Sequence, residues 1–215
     1  MEIDLLKNYP KATRDLKARA KKTEEDRYIA RQFGYDFFDG DRKHGYGGFH
    51  YNEKYWGQVV QDFIEHYNLA PQDKILDVGC AKGFMLYDFI KAGMDCVLGV
   101  DVSEYAVLNA PDEVRPHLML ADAKKLPFLD RSFDLVISIN TIHNLGLDDC
   151  FKAVQEIERV SGRHSFIVVD AFKNLKEKKR MLEWNLTAKT IMSVSEWRDF
   201  FDSAGYTGDY YWFTP

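Results

Sequence analysis

The stretch LDVGCAKGF, residues 76–84, constrains the fold of this chain more than any other feature of its sequence. It joins an apolar run to a helix-forming run through two glycines, as in open parallel α/β sheets that bind a ligand beside the first strand. A carboxylate, Asp77, precedes the first glycine, and the spacing is Asp77-x-Gly79-x-x-x-Gly83 rather than the dinucleotide fingerprint G-x-G-x-x-G. The stretch predicts a strand, a ligand-binding turn and a helix, with negative charge at the turn.

Short apolar runs alternate with helix-like segments from residue 74 onwards. The apolar runs are continuous, which is typical of strands that are covered on both faces. The predicted strands are residues 74–79, 96–102, 117–121, 133–139 and 164–171, and the predicted helices between them are residues 83–93, 103–110 and 148–160. This alternation predicts an α/β fold, with a Rossmann-like, doubly wound parallel sheet and helices on both faces.

The C-terminal part predicts one further helix and one further strand. Ser193 and Glu196 form an S-x-x-E capping box, and we expect Gly205 to end the helix that they begin. The final run, residues 206–213, is predicted to be a strand, and residues 185–192 are a candidate for an additional edge strand.

The N-terminal part differs in composition from the rest, and we expect it to form a lid. Residues 11–33 are rich in Lys, Arg, Glu and Ala, which predicts a helix, or a segment partly disordered until a partner binds. Residues 40–57 contain too many glycines for regular structure, whereas residues 59–69 show the apolar spacing of a helix face. The predicted division is a helical segment and lid loop at residues 1–55 and a Rossmann-like domain at residues 56–215.

Composition limits the partners that we expect. A net charge of −5 over 215 residues gives no electrostatic case for nucleic-acid binding, although residues 17–22 are locally basic. Three cysteines without a C-x-x-C pair support neither a zinc site nor a disulfide framework, and no metal is expected. The N-terminus lacks a signal-peptide core, and no apolar run approaches the roughly 20 residues that span a bilayer. We therefore expect a cytoplasmic protein without membrane insertion, of undetermined oligomeric state.

Polar residues follow four successive predicted strands: Asp77, Asp101, Asp122 and Asn140. In an open parallel sheet the ligand lies beyond the carboxyl ends of the strands, so these side chains should converge. A carboxylate beside the turn would repel a pyrophosphate but suits a ligand with an ammonium group. The pattern disfavours NAD and favours S-adenosylmethionine, which carries an amino group and a sulfonium. Taken singly, each residue is equally consistent with a helix cap or a turn.

Four ordered stretches carry a family resemblance: KILDVGCAKGF, LGVDVSEYA, LADAKKLPFLDRSFDLVISINTIHNL and EWRDFFDSAGY. In order and spacing they resemble the motifs of class I S-adenosylmethionine-dependent methyltransferases, over about residues 57–205. The resemblance implies a sheet of seven strands, S-adenosylmethionine as the methyl donor and S-adenosylhomocysteine as the product. Ala81 departs from the family's usual glycine, and we expect a negative φ to accommodate its methyl group. The family's C-terminal hairpin is reduced to a single run.

The resemblance also implies the cofactor-binding residues. Asp77, Gly79, Ala81 and Gly83 would form the turn around the methionine part, Asp101 would bind the ribose hydroxyls, Val102 would lie beside the adenine, Asp122 and Ala123 would meet the adenine edge, and Asn140 would offer backbone contacts near the sulfonium. Asp101 follows the turn at about the distance at which such folds place a ribose-binding carboxylate.

Two residues are candidates for a general base. Methyl transfer depends mainly on alignment, and a base is needed only where the acceptor must lose a proton. His143 follows Asn140 on the side that faces the acceptor in this family, and its ordinary pKa of about 6.5 suits a base. Asp170, at the end of the fifth predicted strand, is the second candidate. The alternatives are that His143 bonds a loop carbonyl and that Asp170 caps a helix.

The lid loop DRKHGYGGFHY, residues 41–51, supplies candidate contacts to the acceptor. They are Arg42, His44, Tyr46, Gly47, His50 and Tyr51. Glycines let the backbone approach a ligand or hinge, tyrosines cover an apolar face, and the basic side chains fit an anion. The loop resembles the N-terminal portion of bacterial methyltransferases found with surface-polysaccharide biosynthesis genes. A surface loop that only packs on the sheet is the alternative.

The sequence thus predicts an S-adenosylmethionine-dependent methyltransferase that acts, most simply at oxygen, on a small polar metabolite. An anionic acceptor, phosphorylated or sugar-linked, would fit the basic lid loop. The alternatives are an RNA or protein methyltransferase, a non-catalytic cofactor-binding regulator, and a nicotinamide oxidoreductase.

Overall fold

The protein is built on one parallel sheet. A computed structural model describes residues 1–10 and 22–214. Its strands are β1 (Ile75–Val78), β2 (Val97–Asp101), β3 (Leu118–Leu120), β4 (Phe133–Ile139), β5 (Ser161–Phe172), β6 (Met192–Ser193) and β7 (Asp209–Phe213). The strand order is β3-β2-β1-β4-β5-β6, β7 also pairs with β5, and all of these pairings are parallel. The sheet confirms the predicted Rossmann-like, doubly wound fold of seven strands.

Helices cover both faces of the sheet. They are α1 (Glu24–Ala30), α2 (Tyr35–Phe38), α3 (Glu53–Tyr67), α4 (Phe84–Lys91), α5 (Glu104–Leu108), α6 (Leu147–Val160), α7 (Leu175–Trp184) and α8 (Val194–Ala204). Successive strand residues point to opposite faces, so Ile75 packs in the cluster with α3 and α4, and Leu76 packs in the cluster with α6 and α8. In the described part of the chain, no helix combines the length and the apolar character that crossing a membrane requires.

Helices α3 and α7 differ from the sequence prediction, and the short helix α2 was not predicted either. Helix α3 begins at Glu53, well before residue 59, because the Asn52 side chain caps it by accepting a hydrogen bond from the Lys54 amide at 3.1 Å. Helix α7 was not predicted, since Met181 is its only buried residue and most of its other residues are charged. The differences at α3 and α7 arise from local polar groups rather than from the hydrophobic pattern.

The C-terminal elements follow the prediction closely. Ser193 and Glu196 form the capping box of α8, and Gly205 ends that helix in the left-handed conformation. Within residues 185–192, only Met192 adds to the sheet: it starts the two-residue strand β6, which pairs with the end of β5. The edge of β7 is extended by the start of the chain, because the Ile3 amide donates to the Tyr210 carbonyl at 3.0 Å.

The N-terminal part forms a segment over the carboxyl edge of the sheet, and we call residues 22–52 the lid segment. Of the helix predicted at residues 11–33, residues 11–21 lie outside the described part of the chain and residues 24–30 are helical. Residues 40–52 contain neither helix nor strand, as their glycines predict.

Asp39 fastens the lid segment to the glycine turn. Its Oδ2 accepts hydrogen bonds from Lys82 Nζ and from the Tyr105 hydroxyl, both at 2.6 Å, and its Oδ1 accepts from the Phe49 amide at 2.9 Å. Lys82 also donates to the Phe49 carbonyl at 3.0 Å and is 5 % exposed. Burial acts to raise the pKa of Asp39, but the bonds from Lys82, Tyr105 and the Phe49 amide outweigh burial and hold that pKa below its usual value.

A double-mutant cycle tests this fastening. Asp39→Ala is expected to lower the free energy of unfolding by about 3–5 kcal/mol, because it leaves the Lys82 ammonium buried without its carboxylate. The double variant Asp39→Ala, Lys82→Met is expected to lose at least about 1 kcal/mol less free energy of unfolding than the sum of the two single variants. Urea unfolding measures all three. Additive costs would show that the ion pair does not hold the lid segment.

Candidate active site

A large cavity opens at the carboxyl ends of the strands, where the strand order reverses between β1 and β4. Its volume is about 1380 Å³, which exceeds the roughly 300–1,000 Å³ of a site for one drug-sized ligand. The strand ends contribute Gly79, Ala81, Asp101, Val102, Asp122, Ala123, Asn140, Thr141, His143 and Asp170, and the lid segment contributes Arg31, Arg42, Tyr46, Phe49 and His50. The cavity has room for two small molecules side by side.

The glycine turn has the geometry that close approach to a ligand requires. Gly79 has φ +85°, and a Cβ atom there would lie 2.1 Å from Thr141 Oγ1, so a side chain at this position cannot be accommodated. Gly83, with φ +71°, begins α4 in the left-handed conformation. Both glycines are therefore required by the backbone.

Ala81 corrects one expectation from the sequence. Its φ is +50°, so the predicted negative φ is wrong. The left-handed conformation costs an alanine roughly 1–2 kcal/mol, and the hydrogen bond from the Ala81 amide to Asp101 Oδ2, at 2.8 Å, offsets that cost. The turn keeps its shape without the family's usual glycine because a carboxylate holds the amide in place.

Asp101 is the carboxylate that organises this end of the sheet. Its Oδ1 accepts a hydrogen bond from the Ser103 amide at 2.8 Å, while its Oδ2 holds the Ala81 amide. Burial raises the pKa of Asp101, and the backbone donors of Ser103, Ala81 and Val102 offset part of that effect. A carboxylate offers about four acceptor positions, so Asp101 keeps acceptor capacity for a hydrogen bond from the cavity that it lines.

Asp77 lies beneath the turn and is 7 % exposed. Burial, and then the neighbouring charge of Asp101, raise the pKa of Asp77 to about 7. Asp77 and Gly83 are not among the residues that line the cavity, whereas the other predicted cofactor residues are. One buried and one half-buried carboxylate beside the same cavity fit a ligand that brings a cationic group and hydroxyl donors, because such a ligand relieves their repulsion and their desolvation.

The remaining predicted cofactor residues surround the same space. Val102 is 66 % exposed, so it offers an apolar surface at the end of β2. Asp122 accepts a hydrogen bond from the Lys124 amide at 3.0 Å, and Lys124 Nζ lies 3.4 Å from its other oxygen. Asn140 has φ +53°, and its amide donates to the Val168 carbonyl at 2.9 Å. The structure thus gathers the strand-end residues as the parallel sheet requires.

His143 is held by Asp170 in a defined orientation. Its Nδ1 accepts a hydrogen bond from the Asp170 amide at 3.1 Å, so the proton of the neutral ring lies on Nε2, which is 3.8 Å from Asp170 Oδ2. Burial lowers the pKa of His143, and the Asp170 charge opposes that effect in part. The bond is to a backbone amide and not to the loop carbonyl of the alternative interpretation. His143 can accept a proton at Nδ1 only by giving up this bond.

The lid loop contributes only half of its predicted acceptor residues. Arg42, Tyr46 and His50 line the cavity, whereas His44, Gly47 and Tyr51 do not. His44 Nε2 lies 3.2 Å from Asp26 Oδ1 beside α1. The Tyr51 hydroxyl donates to Asp88 and accepts from Lys91 Nζ at 3.2 Å, on the outer side of α4.

Sequence reasoning missed several residues of the site. Thr141 could have been found, because it directly follows Asn140 at the end of β4. Asp39 and Lys82 could not, because their contact joins positions 43 residues apart in the sequence. Arg31 was predicted only as part of a helix over residues 11–33. It lines the cavity because α1 ends at the residue before it.

Comparison with known proteins agrees with this geometry. Residues 76–169 match the family described as a methyltransferase domain. The chain is 26 % identical over 158 residues to cycloartenol-C-24-methyltransferase of Arabidopsis thaliana. The match covers 64 % of this chain and 47 % of that protein. It is 30 % identical over 137 residues to ribosomal protein L11 methyltransferase of Thermotoga neapolitana, which covers 60 % of this chain and 50 % of that one. The chain spans about half the length of these relatives.

Two solved structures share the fold. The YcgJ protein from Bacillus subtilis has a TM-score of 0.56 at 21 % identity, over 67 % of this chain and 66 % of that one. Magnesium protoporphyrin IX methyltransferase from Synechocystis PCC 6803 was solved with bound S-adenosylhomocysteine. It has a TM-score of 0.54 at 19 % identity, over 69 % of this chain and 72 % of that one. Residues 76–169 therefore match a methyltransferase domain, and the chain shares its fold with these solved structures, in agreement with the resemblance to class I S-adenosylmethionine-dependent methyltransferases.

The pH dependence of cofactor binding tests the role of Asp77. With its pKa of about 7 in the free protein, Asp77 must lose a proton when a cofactor ammonium group approaches. Affinity for S-adenosylhomocysteine is therefore expected to rise with pH, by up to about tenfold per unit below pH 7, and to level off above it. Calorimetry in two buffers of different ionisation enthalpy should show proton release near pH 6.

The matched control is Asp77→Asn, which removes the titrating carboxyl but keeps its size. Its affinity for S-adenosylhomocysteine should vary little between pH 5.5 and 7. A slope as steep as that of the unchanged protein would assign the titration to another group and refute the role of Asp77.

Proposed function

We propose that this protein transfers the methyl group of S-adenosylmethionine to an oxygen atom of a small, polar, anionic metabolite. The observation that carries the proposal is the arrangement of Asp101 and the glycine turn at the mouth of a cavity large enough for two molecules. The cofactor would supply an electrophilic methyl group on a positively charged sulfur.

The strand ends would hold the cofactor. Asp101 would accept hydrogen bonds from the ribose hydroxyls with its remaining lone pairs, and Asp77 would attract the ammonium group through the turn. Val102 would pack against the adenine, beside Asp122 and Ala123. Asn140, at the end of β4, would face the sulfonium with its backbone.

The lid segment supports a small acceptor. Its residues line the same cavity as the strand ends, and Asp39 fastens it to the turn through Lys82. A macromolecular acceptor would have to displace a segment held by a buried ion pair, whereas a metabolite can fill the space beneath it. The Arg42 guanidinium, which donates only to the Gly45 and Tyr46 carbonyls among the described residues, favours an anionic acceptor.

Asp170 is the better placed of the two candidate bases. It lines the cavity at the end of β5, and its carboxylate accepts protons without breaking the bond that occupies His143 Nδ1. His143, whose Nδ1 accepts from the Asp170 amide, would hold in place the backbone that carries the Asp170 carboxylate. We therefore assign proton removal to Asp170 and orientation to His143.

The acceptor class is tested with methyl-labelled S-adenosylmethionine. The protein is incubated with a cell extract separated into metabolites below about 3 kDa, RNA and protein, and label is counted in each fraction. We expect label in the metabolite fraction, released by mild base where the product is an ester. Label in the RNA or protein fraction would contradict a small acceptor, and both remain the alternatives, since one of the relatives is a ribosomal protein methyltransferase.

Asp170→Asn is the control for chemistry. It should lower label transfer by about 100-fold or more while leaving the calorimetric affinity for S-adenosylhomocysteine unchanged. Unchanged transfer would refute the role of Asp170 as base. An absence of label in every fraction despite cofactor binding would instead favour a non-catalytic regulator. A link to surface-polysaccharide biosynthesis stays a prediction from the lid loop.

A further inference from the structure

Arg31 is a half-buried cation that has no carboxylate partner within the described ranges of the chain. It follows the last residue of α1, lines the cavity, and donates from Nε to the Thr187 carbonyl at 3.3 Å. None of the ion pairs formed within residues 1–10 and 22–214 includes it. The bond to Thr187 leaves both terminal nitrogens of the guanidinium for another acceptor.

Two other cations that are buried or half-buried are paired with carboxylates. Arg27, one turn earlier on the same helix, lies 2.9 Å from Glu24, and Lys82 lies 2.6 Å from Asp39. Removing a charge from water without a partner is costly, and a guanidinium fork is suited to two parallel bonds with a carboxylate or a phosphate. The unpaired fork of Arg31 therefore points to an anionic ligand inside the cavity.

The loop that Arg31 contacts places it at the acceptor end of the cavity. Two residues after Thr187, the Lys189 amide donates to the His143 carbonyl at 3.0 Å, and the Thr190 amide donates to the same oxygen at 2.9 Å. Two residues of chain span at most about 7 Å. Arg31 is thus tied, through one short segment, to the residue that orients Asp170.

That segment is closed by its own hydrogen bonds and adds a second cation. The Asn185 side chain accepts from the Ala188 amide and donates to the Ala188 carbonyl, both at 2.8 Å, which closes the loop on itself. Lys189 is exposed, lines the cavity, and forms no ion pair with any residue in the described ranges. The loop thus links two cations that line the cavity, since Arg31 bonds to Thr187 and Lys189 follows two residues later.

We propose that Arg31 and Lys189 form an anion-binding subsite that takes a carboxylate or phosphate group of the acceptor. The inference rests on the proposed function, because it assigns the acceptor's anchor within the same cavity. With the anion held at Arg31, the hydroxyl that receives the methyl group lies on the side of His143 and Asp170. The subsite therefore selects hydroxylated metabolites that carry an acidic group, and it orients them for transfer.

The test titrates two probes, inorganic phosphate and succinate, into the protein with and without S-adenosylhomocysteine. Binding is followed by the Nε–Hε NMR signals of ¹⁵N-arginine-labelled protein. We expect the Arg31 signal to shift in a saturable way, Arg31→Gln to weaken binding by at least about tenfold, and Lys189→Gln to weaken it by less. Tighter binding of phosphate would identify a phosphorylated acceptor, and tighter binding of succinate a carboxylic one.

Arg115→Gln is the matched control, because Arg115 is paired with Asp112 and does not line the cavity. The subsite would be overturned if the unchanged protein bound neither probe. It would also be overturned if Arg31→Gln left binding unchanged, or if Arg115→Gln weakened binding as much as Arg31→Gln does. Arg31→Lys, which keeps the charge but loses the fork, is expected to weaken binding less than Arg31→Gln and carries the test if Arg31→Gln does not fold.

The same titrations separate this inference from the proposed function. Affinity for S-adenosylhomocysteine should be unaffected by the Arg31 and Lys189 changes, since neither residue belongs to the strand ends. Saturable, Arg31-dependent anion binding in a protein that fails to bind S-adenosylhomocysteine would leave the subsite standing and refute the methyltransferase proposal. Cofactor binding without any anion binding would refute the subsite alone.

Discussion

The carboxylate of Asp101 is the constraint on which the site depends. One of its oxygens holds the Ala81 amide and the other holds the Ser103 amide, so a single side chain fixes the turn after β1 and the start of α5. Without the first bond, nothing in the sequence would favour a left-handed alanine at the centre of the turn. Because both bonds come from the backbone, the carboxylate stays aimed at the cavity before any ligand arrives.

The lid is joined to this arrangement through the next residue of the turn. Lys82 follows Ala81, and its ammonium group reaches Asp39 in the lid segment. The conformation that Asp101 imposes on the turn therefore also sets where the Lys82 side chain points and where the lid segment is attached. The strand ends and the lid segment, which line the same cavity, are thus connected parts of one bonded unit.

The sequence predicts the sheet well, because continuous apolar runs have few other uses and parallel strands bring their carboxyl ends together. Asp101 and Asn140 meet at the cavity for this reason. The sequence does not predict the sign of φ at Ala81, which depends on a hydrogen bond to another strand. The sequence cannot show that Asp39 contacts Lys82, or that His143 Nδ1 accepts a hydrogen bond from a backbone amide. Both contacts depend on how distant segments pack.

The central claim is that Asp101 binds the ribose of the cofactor. Its most direct test is a double-mutant-type cycle in which one change is made in the ligand and the other in the protein, with affinities measured by calorimetry. S-adenosylhomocysteine is compared with its 2′,3′-dideoxyribose analogue on the unchanged protein and on Asp101→Ala. Loss of the hydroxyls should cost about 1–3 kcal/mol of binding free energy in the unchanged protein and little in Asp101→Ala. An equal cost in both proteins would contradict the account.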